Sequence, residues 1–127
     1  MGTFPNQVGD LINNTVVEGS GSVIAATITI AAPGAGFAIF LVNAQFTLQP
    51  LAALAVNVFN IIKIKDGTND IWEGRLTAVV ADIPSEAHYN GIAPFNCGEN
   101  NAVTLDFQGK NGDTAETISC SHYVGRI

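Results

Sequence analysis

The chain has 127 residues, enough for one domain with one real core, and is 47% hydrophobic but only 13% charged, where about 25% charged is usual for soluble domains. A net charge of −6 with only five Lys and Arg, none of them clustered, excludes a nucleic-acid surface. Apolar runs are broken by Pro33, Gly34, Asn43, Asn57 and Asn60, so none approaches the roughly 20 residues of a spanning helix, and a transmembrane barrel would need more strands and aromatic girdles.

With a mean hydropathy of +0.29, the surplus apolar surface is expected to lie in an oligomer or assembly interface. Met1 to Phe4 lacks the basic start and apolar stretch of a signal peptide, and Cys97 and Cys120 make no dense disulfide framework. Cytosolic synthesis with free thiols follows as the expectation. The acceptor triplet Asn13-Asn14-Thr15 then has no glycosylation to receive.

Residues 1–11 carry Phe4-Pro5, Asn6, Gly9 and Asp10 without a sustained period and are expected to form an extended N-terminal arm. The β-domain is expected over 12–127. Thr15 to Val17 begin a short strand that Glu18-Gly19-Ser20-Gly21 ends. In the next strand, from Ser22, Ile24, Ala26, Ile28 and Ile30 share one face and Ala25, Thr27 and Thr29 the other. Ala32-Pro33-Gly34-Ala35-Gly36 breaks that pattern, and Phe37 to Leu48, apolar on both faces as far as Val42, suits a central strand.

Gln49 to Ala55 reads as a loop crossing the sandwich, although its alanines and leucines would also suit one helical turn. Val56 to Lys65 returns to strand, and Asp66-Gly67 marks a hairpin into Ile71 to Val80. Asp82 to Asn101 is punctuated by Pro84, Asn90-Gly91, Pro94 and Gly98 and reads as irregular. Val103, Leu105 and Phe107 then alternate with polar residues. Past a Gly109 to Asp113 turn, so do Ile118, Cys120, His122 and Val124. Seven or eight strands without a convincing helix indicate an all-β, antiparallel β-sandwich, a jelly roll or related Greek key, with an open barrel as the alternative.

Candidate chemistry is thin. Gly34-x-Gly36 lacks the helix and Lys of a phosphate loop. Cys97, Cys120, His122 and His88 supply zinc-ligand types, but only Cys120-x-His122 is closely spaced, and on a strand it shares a face with Ile118 and Val124. A Cys97–Cys120 disulfide stays open beside free thiols. Ser85, Ser119 or Ser121 with His88 or His122 and Asp82 or Asp106 provide triad types without a nucleophile elbow.

Asp82, Glu86 and His88 suit a solvated loop better than a cation site. Asp66, Asp70 and Glu73 lack EF-hand spacing. Trp72, Tyr89 and Phe95 suit either packing or a sugar-binding face. The expectation is no enzyme, no catalytic residue, no metal and no cofactor.

Four segments carry a resemblance: Ala26 to Phe37 (ATITIAAPGAGF), Lys65 to Thr68 before Trp72, Pro94-Phe95 with Asn101 to Gln108, and Thr117 to Gly125. Together they resemble the small all-β decoration or cement proteins and head-fibre-like proteins of tailed bacteriophages, over about three quarters of the chain from Ser22 onward. Gln49 to Ala55 and Ile83 to Glu99 lie outside it.

The resemblance implies a virion protein on the outer capsid surface. Its partners would be the major capsid protein and itself, as a homodimer or homotrimer, with no nucleic acid and no membrane. The arm and the Asp82 to Glu99 loop would make the contacts, through Phe4, Pro5, Tyr89, Ile92 and Phe95. The alternative from the same resemblance is a receptor- or glycan-binding module of a head or tail fibre.

Overall fold

The computed structural model describes residues 6–51, 57–78 and 83–127, and in 91–93 the backbone alone. Eight strands follow in chain order: β1 (Gln7–Glu18), β2 (Thr27–Ile30), β3 (Phe37–Pro50), β4 (Val58–Asp66), β5 (Asn69–Ala78), β6 (Ser85–Asn96), β7 (Val103–Phe107) and β8 (Thr114–Arg126). No helix occurs among the described residues. The first sheet has the order β1-β8-β3-β6 and the second β2-β7-β4-β5, with every pairing antiparallel.

Pairing joins first to last: β1 with β8, β2 with β7, β3 with β6, β4 with β5. That is one long antiparallel hairpin folded over on itself. Two further pairings, β3 with β8 and β4 with β7, complete the two sheets of a jelly-roll sandwich. The two separate sheets rule out the open barrel.

Strict alternation places the core. On β7 Val103, Leu105 and Phe107 are buried, and on β4 Ile62 and Ile64. Phe46 at the centre stacks on Trp72 at 5.6 Å and meets Phe107 edge-on at 5.9 Å. β3 is central, as its apolar sequence implies, but its buried set changes phase: Ile39 and Leu41, then Ala44, Phe46 and Leu48. A bulge accounts for this, since Leu41 pairs with His122 and Asn43 with Ser121, leaving Val42 as the extra residue. β1 slips at the same level between Val8 and Ile12, and β6 between Asn90 and Phe95. The bulges line up across the sheet.

The β4–β5 hairpin closes at Gly67, φ +62°, the first central position of the turn, where a type II′ turn takes glycine. Asp66 then ties this turn to the β6–β7 loop by accepting from Gly98 N at 2.8 Å and Asn101 Nδ2 at 3.0 Å.

Four local expectations change. β1 begins at Gln7 rather than Thr15, so Gln7–Leu11, expected in the arm, run beside β8 from Gln7↔Gly125 onward. β2 holds only Thr27–Ile30, and Val23 and Ile24 are 90% and 63% exposed outside it. β2 and β3 flank the Pro33-Gly34 turn but belong to different sheets. The irregular Asp82 to Asn101 stretch contains β6, an edge strand whose outer backbone groups need no partner, so Pro94 and Asn90-Gly91 fit at its bulge. Of the expected crossing loop Gln49 to Ala55, Gln49 and Pro50 belong to β3 and 52–55 lie outside the described residues, as does Val56 of the strand expected next.

Candidate interaction surface

The outer faces of the two sheets differ in chemistry. On the second sheet, register partners Thr27, Asp106, Lys63 and Glu73 form one row and Thr29, Thr104, Lys65 and Asp70 the next. Lys63 Nζ lies 3.1 Å from Asp70 and 3.9 Å from Glu73, and Arg75 sits over the Phe59 ring at 5.3 Å. The Asp70 hydrogen bond raises the Lys63 pKa, and burial raises that of Asp106.

The first sheet instead presents hydroxyl and amide side chains. Asn13, Ser121, Asn43 and Asn90 form one row; Thr15, Ser119, Gln45 and His88 form another. Ser121 Oγ donates to Asn13 Oδ1, Thr15 and Ser119 share a hydroxyl bond of 3.4 Å, and His88 lies 3.5 Å from Glu86 at the rim.

Along one border of that sheet runs an apolar strip. Val8, Leu11, Ile12 and Val17 on β1 are 37%, 42%, 44% and 60% exposed, and Val23 and Ile24, in the segment between β1 and β2, are exposed as well. Sequence reading missed these exposed side chains by placing Leu11 in the arm and Ile24 in the core. The signal available was a 12-residue stretch with no Lys, Arg or Pro to protect an edge.

The catalytic and metal candidates are kept apart. Ser119 and Ser121 face outward while His122, on the same strand, is buried on the core side, and Asp106 lies on the far sheet. His88 is on the outer face, away from His122. Among the described residues no group of three His, Cys, Asp or Glu gathers to hold a metal, and no pocket forms. Asp82 lies outside the described residues.

Cys97 and Cys120 are free and buried, which replaces the disulfide alternative. Burial pushes their thiols up to about 12 and about 11, the Asp66 charge adding to the shift at Cys97. Burial lowers the His122 pKa, and its Nδ1 has no hydrogen-bond partner; neither has Asn14 Oδ1 on the adjoining strand.

Of the expected contact residues, the structure brings Tyr89 and Phe95 together on the inward side of β6, opposite Ala44 and Leu41, where both pack half-buried against the core. Trp72 meets Tyr89 edge-on at 6.3 Å. Phe4 and Pro5 lie outside the described residues, and of Ile92 the backbone alone, in β6, is described.

No known family model matches the sequence, and no curated protein matches it. Among solved structures, a chain of the cyanophage Pam1 capsid asymmetric unit is similar with a TM-score of 0.46 and 12% identity, over 97% of this chain and 89% of that one. The nora virus structure is similar with a TM-score of 0.28 and 9% identity, over 99% of this chain and 65% of that one. The jelly-roll assignment rests on the chain's own strand order, not on these likenesses.

Proposed function

We propose that the chain is a structural protein of a virus particle, a decoration or cement protein that binds the outer capsid surface as an oligomer and stabilises the shell. The observation that carries this reading is the set of exposed apolar side chains, Val8, Leu11, Ile12 and Val17 along the β1 border of the sandwich with Val23 and Ile24 in the segment that follows. An exposed strip of this kind, in a chain with so little charge, is a surface made to be covered.

On this reading the partners are the major capsid protein and further copies of the chain, as a homodimer or homotrimer. Synthesis takes place in the host cytoplasm and the mature location is the capsid exterior. Phe4 and Pro5, immediately before β1, extend the apolar strip in sequence, and Ile92 with the accessible parts of Tyr89 and Phe95 contributes from the opposite border. Such a protein carries out no chemistry. Its work is to add contact area across subunit boundaries.

The fibre-tip reading needs aromatic rings free to stack on sugar. Trp72 is stacked on Phe46, Tyr89 is half-buried and Tyr123 is 2% exposed, and Phe59, the one exposed aromatic among the described residues, is covered on one face by Arg75, which supports the capsid reading over it. The test is to mix the purified chain with expanded, undecorated phage capsids and sediment them. Saturating co-sedimentation at fixed stoichiometry is expected; no co-sedimentation alongside binding in a glycan screen would reverse the preference.

A further inference from the structure

The sandwich has four sheet edges, and three of them are protected. β6 carries Pro94 and a bulge, β5 carries Asp70, Glu73 and Arg75, and β2 is only four residues long. β1 is bulged only at its start, between Val8 and Ile12; from Ile12 to Val17 it runs regularly with no Pro and no charged residue, and the strand exposes Val8, Leu11, Ile12 and Val17. Unprotected edges of this kind add a strand from another chain.

We propose that the occupant is β1 of a second copy, added antiparallel across a twofold axis at Asn14, which joins two four-stranded sheets into one of eight. The register follows from the faces. Ile12, Asn14, Val16 and Glu18 are partners of His122, Cys120, Ile118 and Glu116 on the core side, while Asn13, Thr15 and Val17 face outward. A pairing that keeps both faces must join even to even and odd to odd.

With the axis at Asn14, Ile12 meets Val16, Leu11 meets Val17, Asn13 meets Thr15, and Asn14 meets its own copy. Moving the axis to Asn13 sets Ile12 against Asn14 and Leu11 against Thr15. Moving it to Thr15 sets Val16 against Asn14 and Ile12 against Glu18. The Asn14 axis alone matches apolar with apolar and polar with polar.

A second observation falls on the same residue. Asn14 Oδ1 is a buried acceptor without a partner, and directly opposed residues of an antiparallel pair place their Cβ atoms about 4.5–5.5 Å apart. That oxygen is covered by the chain's own atoms, but the rest of the half-buried Asn14 side chain faces its own copy across the axis, amide beside amide. One feature opposes the pairing: Asp10, at the bulged end, faces Glu18 of the copy. Association therefore tightens with added salt or with Asp10→Asn.

The inference rests on the self-association half of the proposed function and is separable from capsid binding. Its test uses Asn13→Cys and Thr15→Cys variants, oxidised singly and mixed, with Cys97 and Cys120 buried out of reach. The mixed sample is expected to give a disulfide-linked dimer several-fold more abundant than either variant alone. Val17→Lys, at an outward position, is expected to halve the mass seen by light scattering, to leave the circular dichroism spectrum unchanged, and to make the melting temperature independent of protein concentration.

A monomeric parent chain overturns the proposal. So does a Val17→Lys protein that keeps the dimer mass, or cross-linking as strong in the single variants as in the mixture. A cross-linked dimer that ignores capsids would overturn the capsid role and leave the β1 interface standing.

Discussion

Glu116 Oε2 accepts a hydrogen bond from Asn60 Nδ2 at 2.9 Å, and Glu116 Oε1 accepts one from Ala26 N at 2.9 Å. The carboxylate sits on β8 in the first sheet, fully buried, while Ala26 leads into β2 and Asn60 lies on β4 of the second. One side chain thus ties the two sheets together at one end of the sandwich.

Glu116→Gln keeps the size but sets an amide donor against one of these two donors. A loss of about 1–3 kcal/mol is expected in denaturant unfolding. Glu116→Ala leaves the Ala26 N–H unpaired and Asn60 Nδ2 with only its bond to Gly109 O, and opens a cavity, so it is expected to lose more. An unchanged midpoint in both variants would contradict the bridging role.

The pH dependence has a definite sign. Burial, the largest influence, raises the Glu116 pKa above its ordinary 4.5. The folded state therefore holds this proton more tightly than the unfolded chain. The resulting stability is complete below 4.5 and declines as pH rises through the raised value. The melting-temperature advantage of the parent chain over Glu116→Gln is expected to be larger at pH 4 than at pH 7.

His122 works in the opposite direction. Burial lowers its pKa from the ordinary 6.5, so the folded state resists charging an imidazole that the unfolded chain protonates freely. Stability is lost as pH falls from 6.5 through the lowered value. His122→Leu is expected to remove this limb, so the parent's melting temperature falls relative to the variant's between pH 7 and pH 5. Parallel curves would contradict it.

Gly125 has no room for a side chain. A Cβ there would lie 2.5 Å from Cε1 and 2.8 Å from Cδ1 of Phe40, whose ring stacks on Tyr123 at 5.0 Å and 4°. Gly125→Ala is expected to cost about 1–3 kcal/mol through overpacking. Phe40→Ala in the same chain should make Gly125→Ala nearly neutral, a coupling that a double-mutant cycle reads directly.

The buried thiols give a simple chemical test. With their pKa values raised to about 12 and about 11, Cys97 and Cys120 hold almost no thiolate at pH 8. Neither is expected to react with a thiol reagent until the chain unfolds, when both should react. Fast labelling of the native protein would contradict their placement in the core.

Much of the fold was legible because alternation is unbroken where the strands are regular. β7 shows it from Val103 to Phe107, and β8 from Ile118 to His122. Where bulges interrupt the period, the pattern misleads: Gly9 and Asp10 hide the first half of β1, and Asn90 to Pro94 hide β6. Strand order was not legible, because alternation says which face is buried and nothing about which strand lies alongside. The Glu116 bridge had a signal that went unread. It shares parity with Ile118 and Cys120, so a carboxylate on the core face of β8 was implied by the alternation itself.

The most direct test of the central claim is the thermal stability of undecorated capsids, measured with and without saturating amounts of this chain. A higher shell melting temperature, reached at a fixed ratio of chain to capsid subunit, is the expected result. An unchanged shell melting temperature at saturation would contradict the cementing role.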